Sequence, residues 1–368
     1  MGVDKRVPRR AVLAGAAAVA AGGAGALVAT VTARSSPVAG VAVHQPGIVT
    51  PPPDKAVLAA YDVRAADRAG LVALFRRLTD AARGSAAEVT VAVGESLFDG
   101  RYGLAEQRPR RLTRMPSFPG DVLDEASCHG DLLIQCCAAS TPQPLTDPDL
   151  APRWRIDGFR AENTVTADGR PSTRNLFGFR EGAGNPDPGD AAELDRVVWV
   201  RPGGDEPQWT AGGTYLVARL IRFATALWDA DPVQRQEAIF GRRKSDGAPL
   251  GRDREDADFD YADDPAGRLV AVDAHIRLAN PRTPQTESSR ILRRAYSYRR
   301  APDAAGHPDE GLVFVCFQQD LERGFATVQR RLAGQPLDRY ILTTGGGYFF
   351  ALPGAEPGGY LGRPLLEP

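Results

Sequence analysis

Three short segments carry side chains whose types and spacing suit chemistry. In Ala274-His275-Ile276-Arg277-Leu278-Ala279-Asn280-Pro281-Arg282, a histidine ends an apolar run and is followed by cationic and turn-forming residues. Such a histidine is either a satisfied core group or a metal ligand, and the arginines after it suit a dianionic ligand. In Phe177-Gly178-Phe179-Arg180-Glu181-Gly182-Ala183-Gly184-Asn185-Pro186, glycines around Glu181 let the backbone approach a flat ligand closely, although the same run also reads as a surface turn. In Arg290-Ile291-Leu292-Arg293-Arg294, strand geometry sends Arg293 and Arg294 to opposite faces. The plain reading of that pair is one solvated and one ion-paired arginine.

Composition narrows the chemistry. The chain has 368 residues, 45 Lys plus Arg against 46 Asp plus Glu, and a formal net charge of −1. It therefore lacks the general basic field of a nucleic-acid binder. Only 4 Cys and 4 His occur, with no C-x-x-C or H-x-x-x-H pair, which argues against zinc fingers, zincins and iron–sulfur cages. A cofactor needing one axial ligand survives this count, and haem is the commonest such cofactor. Adjacent Cys136 and Cys137, in an apolar strand-like run, read as core thiols on opposite faces.

The elements that must position these residues alternate loosely. Strands are expected at Leu58–Val63, Val89–Val93, Asp131–Ala138, Val197–Val200, Gly213–Phe223, Val270–His275, Gly311–Gln318 and Gly347–Leu352, with helices at Ala65–Arg83 and Leu321–Leu332. Without a Gly-rich nucleotide turn, this favours an α+β fold over a doubly wound sheet. The acidic run Asp253–Asp264 reads as a solvated loop. At the N-terminus, Lys5, Arg6, Arg9 and Arg10 precede an uncharged Ala- and Gly-rich run, and Arg9-Arg10-Ala11-Val12-Leu13 looks like a twin-arginine export signal. An uncleaved anchor is the alternative. Residues 1–35 are set aside as signal and tether, and halves are expected at 41–200 and 201–365.

Together the three segments resemble the dye-decolorising peroxidase family, in its exported twin-arginine branch. Gly178 through Pro186 looks like the family's G-F-x-D-G-x-x-N-P motif, His275 through Arg282 like H-I-R-x-x-N-P-R, and Arg293-Arg294 falls where the family's arginine pair does. Further counterparts, from His44-Gln45-Pro46-Gly47-Ile48 to Cys316-Phe317-Gln318, extend the likeness over nearly all of the chain beyond residue 40. The resemblance implies an α+β fold of two ferredoxin-like halves, of the dimeric α+β barrel type, with haem b in the C-terminal half. It implies His275 as iron ligand, Glu181 and Arg293 as the catalytic pair, and cofactor contacts from Gly182, Ala183, Gly184, Asn280, Pro281, Arg282 and Arg293. Asp320 is a candidate acceptor for the second nitrogen of His275, and Arg277 joins Arg282 and Arg293 as a cationic group around the cofactor.

The implied activity is reduction of hydrogen peroxide through a ferryl intermediate, with oxidation of a dye-like, phenolic or metal-linked reductant. The implied partners are peroxide and that reductant, with membrane contact only in transit through the twin-arginine translocase; a homo-oligomer or a redox partner is left open. One departure stands at the reaction centre: the motif's acid is glutamate. A carboxylate can take and return a proton, whereas arginine only stabilises negative charge, so Glu181 is read as proton shuttle and Arg293 as electrostatic stabiliser. The extra methylene detunes the site, and weak turnover beside haem binding, electron transfer or haem-iron handling is the competing function. Trp154, Trp199, Trp209, Trp228, Tyr296, Tyr298 and Tyr348 are available to carry electrons, each more simply read as core packing.

Overall fold

A computed structural model describes residues 44–165, 171–257 and 259–367. The segment expected to be an export signal lies outside the described residues, among which no helix is long and apolar enough to cross a membrane. The strands are β1 (Lys55–Val63), β2 (Glu88–Gly94), β3 (Leu132–Ala138), β4 (Leu150–Phe159), β5 (Ala161–Val165), β6 (Pro171–Arg174), β7 (Arg180–Glu181), β8 (Thr214–Phe223), β9 (Leu292–Arg293), β10 (Tyr296–Arg300), β11 (Asp309–Gln318) and β12 (Ile341–Ala351). The helices are α1 (Arg68–Gly84), α2 (Ala191–Val197), α3 (Thr225–Asp229), α4 (Val233–Phe240), α5 (His275–Ala279), α6 (Thr327–Leu332) and α7 (Arg363–Leu366).

The main sheet runs β10-β4-β1-β3-β2-β12-β8-β11-β9, and a further β10–β11 pairing closes it into an antiparallel barrel. Within it the order 4-1-3-2 occurs twice, as β4-β1-β3-β2 and as β12-β8-β11-β10. These are the two ferredoxin-like halves, and we propose the boundary at 200 and 201 because it falls between the two groups of strands.

Alternation along each strand fills the barrel. Ala56, Leu58 and Ala60 of β1 join Leu216, Ala218 and Leu220 of β8 and Val313, Val315 and Phe317 of β11 in one cluster, so the interior is packed rather than hollow. The opposite face of β1, at Ala59, Tyr61 and Val63, packs with Leu71, Leu74, Phe75 and Leu78 of α1, whose 3- and 4-residue spacing makes one apolar stripe. Each such side chain contributes roughly 1.5–3 kcal/mol on burial. Cys136 and Cys137 fall in the outer and inner clusters respectively, and all four cysteines are buried free thiols.

Two expected strands are absent. Val197 ends α2 and a turn follows it, while residues 270–274 form turns and His275 begins α5 rather than ending a strand. The reason is local. Asp264 accepts from the N–H groups of Arg268, Leu269 and Val270 at 2.7, 3.1 and 2.9 Å, which folds the chain before His275 into turns. The helix stops at Asn280 because Pro281 follows. Asp264 is buried, so the acidic run is not uniformly a solvated loop. The expected helix over Leu321–Leu332 is broken into a π-turn at Glu322–Ala326, with Gly324 outside helical angles, and then α6.

Candidate active site

The outer face of the C-terminal half is not sealed by a long helix as the N-terminal half is by α1. Arg219, Ile221 and Phe223 of β8, Leu312 and Phe314 of β11, and Ile341 and Thr343 of β12 form the floor of a cavity with about 1480 Å³ of empty space out to its mouth. Its wall is made by α5, α6 and the turn at Gln335, together with the segment from Asn175 to Gly184 and with Arg290, Ile291 and Arg293.

His275 lines this cavity and lies 5.7 Å, ring to ring, from Phe240. Its Nδ1 is 2.8 Å from Gln335 Oε1. Burial lowers its pKa, which keeps the imidazole in the neutral form that ligates metals. Asp320, the acceptor expected for His275, instead binds Arg323 at 3.0 Å. The acceptor is Gln335, sixty residues along the chain, and no local pattern joins it to His275.

Glu181 sits in β7, paired to β6 by the register Thr173↔Glu181. The turn between these strands is organised by Asn175, whose Oδ1 accepts from the Phe177 and Phe179 N–H groups at 3.0 and 3.1 Å. With its oxygen thus engaged, Asn175 turns Nδ2 to Glu181 Oε1 at 2.7 Å. Desolvation raises the Glu181 pKa, opposed by Arg293, then Asn175 and Arg160.

Arg293 is fixed separately. Its N–H and Nε donate to Asn185 Oδ1 at 3.1 and 3.2 Å, its Nη2 donates to the Ala183 carbonyl at 2.5 Å, and Asn185 Nδ2 returns a bond to the Arg293 carbonyl at 2.8 Å. No ion pair within 4 Å joins Glu181 to Arg293 among the described residues, so neither neutralises the other by direct contact. Arg294 points the other way, to Glu88 Oε2 at 2.8 Å, as strand alternation requires.

Ala183, Gly184, His275, Asn280, Arg282 and Arg293 all line the cavity, whereas Gly182 and Pro281 are not among its wall residues. Arg277 is not in the wall either: its Nη1 donates to the Asp264 and Val270 carbonyls at 2.8 and 3.0 Å. Arg242 was not legible from sequence. It lines the cavity, is 8% exposed, and uses Nη1 to reach the carbonyls of Gly247 and Glu255 at 2.7 and 3.0 Å. Burial, Arg293 and Arg282 together depress its pKa to about 10, so it is a desolvated cation short of negative charge. None of the seven candidate electron-carrying aromatics lines the cavity, and all seven are buried.

These features suit a flat, dianionic metal macrocycle. The neutral imidazole of His275 would hold its metal, Arg242 and Arg282 would supply positive charge, and Phe177, Phe223, Phe240 and Phe314 would supply apolar wall. A Cβ placed on Gly184, at φ +78, meets no protein atom within 4 Å, so the backbone there leaves room for a planar ligand.

Comparison with known proteins agrees with this geometry. The family model for the C-terminal part of Dyp-type peroxidases matches residues 172–356, and that for the N-terminal part matches residues 81–143. A Deferrochelatase from Escherichia coli (strain K12) is 44% identical over 363 residues, covering 88% of this chain and 86% of that protein, and one from Shigella flexneri gives the same figures. Among solved structures, ferric DtpA from Streptomyces lividans superposes with a TM-score of 0.77 at 36% identity, covering 88% of this chain and 95% of that one. A DyP-type peroxidase from Cellulomonas bogoriensis gives 0.77 at 32% identity, covering 89% and 99%. The chain belongs to the Dyp-type peroxidase family and is a haem-dependent oxidoreductase acting on peroxide.

Proposed function

We propose that this protein reduces hydrogen peroxide at a haem b held by His275 and oxidises dye-like, phenolic or metal-linked reductants, with Glu181 as the proton shuttle. The observation that carries the proposal is the placement of Glu181 and Arg293 on the cavity wall, each anchored by its own asparagine. Bound haem would supply the iron chemistry that cleaves the O–O bond of peroxide. Glu181 would accept a proton from one peroxide oxygen and return it to the other, and burial raises its pKa, which favours holding that proton in between. Arg293 holds positive charge beside the oxygen that leaves. Gln335 orients His275, and Arg242 with Arg282 would hold the two propionates.

The test is a stopped-flow reaction of the ferric protein with one equivalent of peroxide. A Soret shift within seconds that is slowed in Glu181→Gln is expected, and no shift in the unaltered protein would sink the peroxidase reading.

A second reading, removal of iron from haem, is favoured by relatives at 44% identity that carry the name Deferrochelatase. Appearance of metal-free porphyrin fluorescence from the haem-loaded protein in a reducing buffer, without peroxide, distinguishes it.

We also propose export by the twin-arginine pathway to the cell envelope or beyond, supported by Arg9-Arg10 ahead of the uncharged run. Replacing both arginines by lysine is expected to leave the precursor in the cytoplasm.

A further inference from the structure

His275 is backed by an amide rather than by a carboxylate. Gln335 Oε1 lies 2.8 Å from His275 Nδ1. Gln335 is 6% exposed, so this contact is shielded from solvent. An amide oxygen only accepts, so Nδ1 carries the imidazole proton and Nε2 keeps its lone pair. The amide is also uncharged, so the histidine has no anion bonded to it.

We propose that Gln335 is a positioning residue that keeps His275 a neutral, weakly basic donor. It thereby holds the iron's reduction potential above the value that a carboxylate at the same place would set. This rests on the reading of His275 as the iron ligand. A hydrogen bond from Nδ1–H to a carboxylate is charge-assisted and about twice as strong as one to an amide, and it draws the proton away and makes Nε2 more basic. A more basic axial ligand favours the ferric state. With the amide, the ferrous state is easier to reach and less electron density is pushed toward the O–O bond.

The test uses the full haem-loaded protein, read by spectroelectrochemistry and by the ferrous Fe–His stretch in resonance Raman. Gln335→Glu is expected to lower the midpoint enough to change the ferric-to-ferrous ratio at fixed potential by tenfold or more, about 59 mV for one electron, and to raise the Fe–His frequency. Gln335→Leu, which keeps the site neutral but removes the acceptor, is expected to broaden or split the same band as the imidazole loses its fixed direction. An unchanged potential and stretch in Gln335→Glu, or an unchanged band in Gln335→Leu, overturns the proposal. A His275→Ala protein that keeps the Fe–His band would instead overturn the ligand assignment, so the two failures are distinguishable.

Discussion

Asn175 aims Glu181: the amide Nδ2 donates to Glu181 Oε1 at 2.7 Å while the amide oxygen is occupied by two backbone N–H groups of the turn. The acid is therefore held by its own hairpin and does not depend on Arg293 for its position. Asn175→Ala is expected to slow the reaction with peroxide by about 10- to 100-fold, the range that loss of positioning commonly costs, with haem content unchanged. Stopped-flow rates normalised to the pyridine haemochrome check this. An unaltered rate would show that the cavity alone orients Glu181.

The raised pKa of Glu181 gives a pH signature. The base form is the ionised one, and a raised pKa means that it is lost, as pH falls, at a higher pH than for an ordinary glutamate near 4.3. The peroxide rate should therefore climb with pH through a midpoint above that value. Glu181→Gln should lower the rate by about 10²- to 10⁴-fold and remove this limb. A limb that persists in Glu181→Gln assigns it to another group.

Arg242 predicts a dependence on the cofactor's carboxylates. It lines the cavity, where Arg293 and Arg282 repel it more than Glu255 attracts it, and a buried cation short of counter-charge is costly. Arg242→Leu is expected to weaken binding of haem by the apoprotein by about tenfold or more, the worth of one charge-assisted bond. It should leave binding of haem dimethyl ester nearly unchanged. Equal losses for both ligands would mean that Arg242 acts only on folding.

The floor of the cavity predicts a stability effect. Arg219 and Asp121 are each 3% exposed at the side chain and pair at 2.5 Å, with Thr343 Oγ1 accepting a further bond at 2.9 Å. Asp121→Ala leaves Arg219 buried without its anion and should cost about 3–5 kcal/mol, read as a lower denaturant midpoint. The double variant Asp121→Ala with Arg219→Met should recover much of that loss, since it removes the stranded charge.

The barrel strands were legible because their alternation is strong: Leu58–Val63, Val89–Val93 and Gly311–Gln318 each lie within an observed strand that is at most a few residues longer. The same periodicity misled at Val270–His275, where the apolar run belongs to turns held by the Asp264 carboxylate, a contact that hydropathy does not encode. Glu181, His275 and Arg293 were found by residue type within motifs. Arg242 and Gln335 were missed, because an arginine and a glutamine in polar stretches carry no mark of burial.

Strand alternation sufficed to name the α+β class, and the scarcity of histidine with three short motifs singled out His275, Glu181 and Arg293 as candidates, because each is a property of residues near one another along the chain. The partner of His275, the anchoring of Glu181 away from Arg293, and the turning aside of Arg277 were settled only by folding. Each depends on which side chains meet across separations of 6 to 108 positions, from Asn175 with Glu181 to Asn185 with Arg293. Choosing Gln335 over Asp320 is a matter of which segment folds against α5, and the amide oxygen there decides which nitrogen of His275 is left without a proton.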